Sequence, residues 1–241
     1  MSDELLDLYS KFNSYLPIKP RNTCEVEYIE QVRNHIVNSI ESSSWQFAYL
    51  GFHLLLVYIQ TIILKSTSYN KLKLMLTHES KAKYKTLMEL SNEMYLSKLP
   101  QIDERKLFRL LRSCKVKDSD IKLLEDGLTK RNQIAHCNFS NSFSNEESLI
   151  TEVSGVIDIM RKITKAIRPS LRKIYVKTYA WFDGIDEVSS EDIEMVVDEN
   201  LIAEYYLSEK DIELILRSKK THNQFESQVL ERLIHYLPEK E

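Results

Sequence analysis

Apolar residues recur at every third or fourth position along most of the chain, with polar residues between them. This spacing is typical of helices that bury one face. It predicts a first helix before Pro17, with apolar residues at helical spacing at Leu5, Leu8, Phe12 and Tyr15. It predicts a second helix, ended by the serine run at 42–44, with apolar residues at helical spacing at Val26, Ile29, Val32, Ile36 and Ile40.

The most apolar segment is WQFAYLGFHLLLVYIQTIIL, from Trp45 to Leu64. It is long enough to be considered as a membrane span. However, it contains Gln46, His53 and Gln60, and the mean hydropathy of the chain is negative. We therefore predict a helix that is buried on all sides within a bundle, and no association with a membrane.

The remaining pattern predicts further helices. One covers about 80–96, and Asp103 is a candidate N-cap for the next, ERKLFRLLRSC. Another begins near Asp118 or Ser119, either of which can cap it, and includes Gly127. A polar loop then precedes a long amphipathic helix that runs to Pro169. The segment RKIYVKTYAWF fits either a strand or a continuation of that helix. Two more helices are predicted from Ser190 onward, the last opening with a capping box at Ser208 and Asp211.

Four glycines and five prolines are few for 241 residues and leave little of the turn chemistry that β-sheets need. The predicted fold class is therefore all-α, an up-and-down helical bundle with an additional helical, acidic C-terminal segment. The predicted divisions are an N-terminal helix at 1–22, the bundle at 23–180 and the extension at 181–241. Cys24, Cys114 and Cys137 are scattered, which indicates neither a disulfide framework nor a metal site. An acidic N-terminus without a signal-peptide pattern favours the cytoplasm.

Charge is unevenly distributed along the chain. Residues 65–131 hold sixteen Lys or Arg against nine Asp or Glu, and 161–177 add seven bases and no acid. Residues 183–213 hold twelve acids and one lysine. The acidic segment could pair with the basic centre, shield it, or simply be a solvated helical surface.

The candidate chemistry lies in GLTKRNQIAHCNF, residues 127–139, where Arg131 and Asn132 precede His136. Asn132 and His136 are four residues apart and share a helix face, whereas Arg131 must reach around the flank. A neutral imidazole can take a proton from a ribose 2′-hydroxyl, and a guanidinium can hold a phosphate through two hydrogen bonds. These groups would be sufficient to cleave RNA without a metal or another cofactor. The alternative is that they have no catalytic role, His136 being an ordinary helical histidine and Arg131 a solvated side chain.

The RNxxxH motif, followed by a loop and a long amphipathic helix in an all-helical chain, resembles the HEPN superfamily over about residues 24–170. The resemblance implies a helical bundle that dimerises with two motifs facing each other across a shared cleft. It also implies a metal-independent endoribonuclease, often a toxin held by an antitoxin or an effector of phage defence. In this chain His136 would be the general base, Arg131 would bind the scissile phosphate, and Asn132 would be the polar residue expected after the arginine. Some members serve as binding modules without nuclease activity, so a non-catalytic interaction or nucleic-acid-binding module is the alternative.

Other residues are weaker candidates. His53 lies in the apolar helix and is interpreted as a core residue that could lie under the site. His35 follows a second Arg-Asn pair but has no partner at the motif spacing, so we interpret it as incidental. Tyr49, Tyr58 and Tyr175 could stack on bases, although aromatics at helical spacing more commonly belong to a core or an interface.

Overall fold

The computed structural model describes residues 2–20, 22–66, 104–113, 116–136, 143, 145–167, 189–217 and 224–238. These residues are almost entirely helical and contain no strand, so the all-α prediction is confirmed for them. The chain divides into two compact units. The first comprises Met1–Phe12 and Asn22–Ile167, and the second comprises Asn13–Arg21 and Arg168–Glu241.

Six described helices build the first unit. They are α1 (Asp3–Asn13), α2 (Thr23–Glu41), α3 (Trp45–Ser66), α4 (Glu104–Ser113), α5 (Asp118–Ala135) and α6 (Glu146–Ile167). Helix α3 packs against α2, α4, α5 and α6 and is the centre of this unit. Helix α1 joins the same core, because the ring of Phe12 lies 5.1 Å from that of Phe52 in α3.

The ends of α2 follow local sequence signals. The Asn22 side chain accepts a hydrogen bond from the backbone N–H of Glu25 at 3.0 Å and so caps the N-terminus. At the other end, Ser43 adopts a φ of 53°, a left-handed conformation in which a helix cannot continue. The predicted break at the serine run is confirmed.

The start of α5 differs from the prediction. The N-cap is Lys117, which makes no side-chain capping bond, so the prediction that Asp118 or Ser119 caps this helix is wrong. Asp118 is instead the first helical residue, and its carboxylate lies 2.6 Å from the Arg112 guanidinium of α4. A negative charge in the first turn interacts favourably with the helix dipole, so Asp118 still stabilises the start of α5.

Helix α3 is mostly buried between Trp45 and Thr61, as its apolar sequence predicts. It is not buried on all sides, because Phe47 and Leu54 are 48% and 44% exposed. None of the helices among the described residues has the length and apolar character that crossing a membrane requires.

Helices α2 and α3 approach closely at Gly51. A Cβ at this position would lie 2.4 Å from Cγ1 of the fully buried Ile36. We expect Gly51→Ala to lower the free energy of unfolding by about 1–3 kcal/mol, because overpacking outweighs the gain in helix propensity. Gly155 in α6 is the matched control, since a Cβ there would meet nothing within 4 Å. Gly155→Ala should be neutral or stabilising by up to about 1 kcal/mol, and urea unfolding of the two variants measures the contrast.

The second unit is built around C-terminal helices. Helix α7 (Ser190–Met195) continues into a π-helical segment (Val196–Ala203), followed by α8 (Glu209–Leu216) and α9 (Gln224–Ile234). The predicted capping box at Ser208 and Asp211 is confirmed at the start of α8. Sequence interpretation missed an equivalent box at Ser189 and Asp192, and it missed α9 altogether.

Residues 13–20 belong to this second unit through backbone hydrogen bonds. The Ile18 N–H donates to the carbonyl of Leu207 at 2.9 Å, and the Lys210 N–H donates to the carbonyl of Ser14 at 3.2 Å. Part of the acidic charge is neutralised here. The Asp198 carboxylate accepts from Lys19 at 2.8 Å and from Arg232 at 3.3 Å.

Several predictions concern parts of the chain outside the described residues. They are the helix at 80–96, the cap at Asp103, the strand or helix at 172–182, the end of the long helix at Pro169, and Tyr175.

Candidate functional site

Arg131 lies in the last two turns of α5, and its guanidinium points toward α4. Its Nη2 donates to Oε1 of Glu104, the first residue of α4. The other oxygen of that carboxylate, Oε2, lies 2.8 Å from Nε2 of His53 in α3. One carboxylate therefore joins three helices, and the Arg131 side chain keeps 28% of its surface in solvent.

The charge states of His53, Glu104 and Arg131 depend on one another. Burial, together with the nearby Arg131 cation, lowers the pKa of His53 to about 4. The imidazole is therefore neutral at pH 7 and donates its Nε2–H to Glu104. The negative charge of Glu104 is balanced by Arg131, so the carboxylate does not require a second cation. Burial also lowers the pKa of the Arg131 guanidinium from its usual value.

Hydrogen bonding of Arg131 is incomplete within the described residues. Its Nε is buried and has no hydrogen-bond partner there. A buried donor without an acceptor costs free energy, so such a group needs an explanation. The Glu104 contact fixes the direction of the guanidinium but uses only part of its donor capacity.

His136 occupies a different environment at the end of the same helix. It is the C-cap residue of α5, and its backbone N–H donates to the carbonyl of Asn132 at 3.0 Å. The residue is exposed, and Asn132 is half-buried. The described contacts bring Arg131 to Glu104 and His53, and they place His136 in solvent one turn further along. They do not join Arg131 and His136 to a common group.

The aromatic candidates for base stacking are in the core. Tyr49 and Tyr58 are 1% and 0% exposed, which leaves no face for a base. The Tyr49 hydroxyl instead donates to the carbonyl of Gly127 at 3.2 Å, and its ring lies 4.7 Å from that of Phe143. His35 is exposed, and its Nε2 lies 3.1 Å from the carbonyl oxygen of Phe47.

A cleft of about 420 Å³ lies beside the motif, between the C-terminal part of α5 and the N-terminal part of α6. Its described lining consists of Lys130, Phe143, Asn145, Glu147, Ser148, Thr151 and Glu152. Lys130, which directly precedes Arg131, forms an ion pair with Glu152 across it. The two adjacent basic residues of the motif helix therefore point to different partners.

Glu104 is the site residue that sequence interpretation missed. It was visible only as the first residue of ERKLFRLLRSC, where an acidic residue has an ordinary role at a helix N-terminus. Its contact with Arg131 spans 27 positions of the chain. The presence of His53 in the apolar helix was the one available signal, because a buried imidazole needs a polar partner.

We expect the protein to lose stability in mild acid because of His53. In the unfolded chain this imidazole binds a proton near pH 6.5, whereas in the folded protein it stays neutral down to about pH 4. Between these values the unfolded state binds more protons, so the free energy of unfolding falls as the pH is lowered. The loss attributable to His53 is up to about 3 kcal/mol. Urea unfolding at pH 7 and pH 4.5 measures it.

His53→Gln is the informative variant for this effect, because a glutamine cannot be protonated but keeps an N–H for Glu104. Its stability should fall less between pH 7 and pH 4.5 than that of the wild type. His35→Gln is the matched control, because it makes the same substitution at an exposed histidine that contacts the carbonyl of Phe47 and not Glu104. Equal slopes for wild type and His53→Gln would mean that His53 is not held neutral.

Comparison of the chain with protein-family models, with curated proteins and with solved structures found no match. Within the described residues, no three His, Cys, Asp or Glu side chains are grouped so that they could hold a metal ion.

Proposed function

We propose that this protein is an endoribonuclease that cleaves RNA by attack of the 2′-hydroxyl, with Arg131, Asn132 and His136 as its catalytic residues. The observation that supports this best is that Glu104 holds Arg131 in direction while His136 is exposed at the end of the same helix. A side chain that binds the scissile phosphate needs a fixed direction, and a general base needs access to the substrate.

In the proposed reaction the His136 imidazole takes the proton of the ribose 2′-hydroxyl. The 2′-oxygen then bonds to phosphorus, and the bond from phosphorus to the 5′-oxygen breaks. The leaving oxygen takes up a proton from solvent, so the products are a 2′,3′-cyclic phosphate and a 5′-hydroxyl. Arg131 donates hydrogen bonds to the phosphate oxygens while negative charge builds on them. Asn132, four residues before His136, orients the imidazole or a substrate oxygen.

The proposal extends to the partners that the HEPN resemblance implies. The protein acts in the cytoplasm as a homodimer in which two copies of α5 line a common cleft. A toxin or phage-defence role requires that an antitoxin, another regulatory protein or a trigger control the activity. Sedimentation equilibrium of the purified chain tests the dimer independently of cleavage.

One observation favours a second candidate, a non-catalytic helical interaction or nucleic-acid-binding module. Arg131 already forms an ion pair with Glu104, and Glu104 is only 14% exposed, so the arginine has a structural role without any substrate. A binding module predicts that expression is harmless and that the motif is dispensable for growth. Induction of the wild type and of the Arg131→Ala/His136→Ala variant in the same cells discriminates the two functions.

The direct test is cleavage of single-stranded RNA by the purified protein in the presence of EDTA. We expect the rate to change less than about twofold on chelation, because positioned side chains supply the whole mechanism. End-group analysis should find cyclic phosphate and 5′-hydroxyl termini. Termini with a 5′-phosphate, or full loss of cleavage that added Mg²⁺ restores, would contradict the proposal.

A further inference from the structure

The cleft between α5 and α6 contains groups that the proposed reaction does not use. It is bordered by Lys130, the residue before Arg131, so it lies on the neighbouring flank of the motif helix. Its volume of about 420 Å³ is within the range of sites for small organic molecules. A nucleoside next to a phosphate held by Arg131 would be of suitable size for it.

The charges of the cleft favour a base over a phosphate. Its described lining has one lysine and two glutamates, so an anion entering it would meet a net negative charge. Lys130 is paired with Glu152, so its charge is already balanced by a carboxylate of the cleft. The occupant should therefore be neutral and rich in hydrogen-bond donors.

Among the described residues, the Glu147 carboxylate and the Asn145 amide nitrogen of the lining have no hydrogen-bond partner. Glu147 is exposed, and only its backbone carbonyl is engaged, by the Thr151 hydroxyl at 3.0 Å. Asn145 accepts the Ser148 N–H at 3.0 Å with Oδ1, which leaves its amide nitrogen as a donor. The neighbouring Glu146 differs, because it accepts the Ser2 N–H at 2.9 Å.

These two groups match one base better than the others. A carboxylate accepts two parallel hydrogen bonds from a ligand with adjacent N–H donors. Guanine has such a pair on its Watson–Crick edge, at N1 and the 2-amino group, with the O6 acceptor beside them. Adenine, cytosine and uracil present no two adjacent donors on that edge. Phe143 lines the same cleft, and the 7% of its surface that is exposed gives the base a small apolar edge.

We infer that this cleft binds a guanine base, with Glu147 accepting from N1–H and the 2-amino group and the Asn145 amide donating to O6. The inference rests on the proposed function in one respect only, the role of the base as the neighbour of the scissile phosphate. The cleft would then give the ribonuclease a preference for unpaired guanines, because base edges are accessible to proteins mainly in single-stranded RNA.

The test is a binding experiment with the full-length chain carrying His136→Ala, so that no turnover is involved. Isothermal titration with the 5′-monophosphates of guanosine, inosine, adenosine, cytidine and uridine should show guanosine monophosphate binding at least about tenfold more tightly than the others. Inosine monophosphate, which lacks only the 2-amino group, is the matched ligand. Adding Glu147→Gln should reduce the preference to below about threefold, because an amide offers one acceptor in place of two.

Glu125→Gln is the control variant, since it removes an exposed carboxylate of α5 that is not part of the described lining. It should leave the guanine preference intact. Equal affinities for all five nucleotides, no binding of any, or a preference that survives Glu147→Gln would overturn the inference. Selective guanine binding by a protein that cuts no RNA would uphold it while refuting the proposed function. RNA cleavage with no selective binding of guanine would support the proposed function and overturn the inference about the cleft.

Discussion

Replacing His136 by alanine should slow RNA cleavage by about 10²- to 10⁴-fold, the range that a positioned general base contributes. The fold should be preserved, because His136 is exposed and ends α5 through its backbone N–H, which alanine also has. Initial rates on a labelled single-stranded RNA measure the change, and circular dichroism of the same samples confirms that the helices are intact.

His35→Ala is the matched control for that experiment. His35 also follows an Arg-Asn pair, at Arg33 and Asn34, and is also an exposed helical histidine. It should cleave at the wild-type rate. Wild-type cleavage by purified His136→Ala would remove the proposed mechanism, since no other described histidine has both exposure and a place next to Arg131.

The helices were predictable because their signals are local. The apolar spacing of α1, α2 and α6 and the capping box at Ser208 each depend on residues within a few positions of one another. The errors were also local. At the start of α5, Asp118 and Ser119 are good capping residues, but the helix begins at Asp118 with Lys117 as its N-cap. Capping preference contributes only about 1 kcal/mol, which is little against the packing of a helix on its neighbours.

The surroundings of the candidate site were not predictable in the same way. The pairing of His53 with Glu104 joins residues 51 positions apart, and no periodic pattern encodes it. The packing of residues 13–20 in the second unit was equally unpredictable. The Ile18 N–H bonds to the Leu207 carbonyl through the backbone, and neither side chain indicates this pairing in the sequence. In both cases tertiary contacts determine which residues meet, and patterns within a single sequence do not show those contacts.

Residue type also fails to show how a side chain is used. Tyr49 and Tyr58 are suitable for base stacking by residue type, yet both are buried. Phe143, in a polar stretch of the sequence, is also buried and reaches the cleft with only 7% of its surface. Burial of a long helix such as α3 was predictable, but which of its residues face solvent was not. The exposed positions, Phe47 and Leu54, are as apolar as the buried ones.

Arg131→Ala should have two effects that together separate the proposed functions. It removes the guanidinium that binds the scissile phosphate, which should slow cleavage by about 10²- to 10³-fold if Arg131 stabilises the transition state. It also leaves the largely buried Glu104 without its cation, which should lower the free energy of unfolding by about 2–3 kcal/mol. This is less than the full effect of breaking a buried pair, because 28% of the Arg131 side chain is in solvent.

Glu104→Gln discriminates positioning from catalysis, because it weakens the ion pair while keeping Arg131 and an acceptor for it. If Arg131 binds phosphate, this variant should lose stability and yet cleave within roughly tenfold of the wild type, far faster than Arg131→Ala. Rates are compared at a temperature where both variants are folded by circular dichroism. Cleavage at the wild-type rate by both folded variants would give Arg131 a structural role alone. The guanidinium would then serve only to join α4 and α5, and Arg131 would not be one of the catalytic residues.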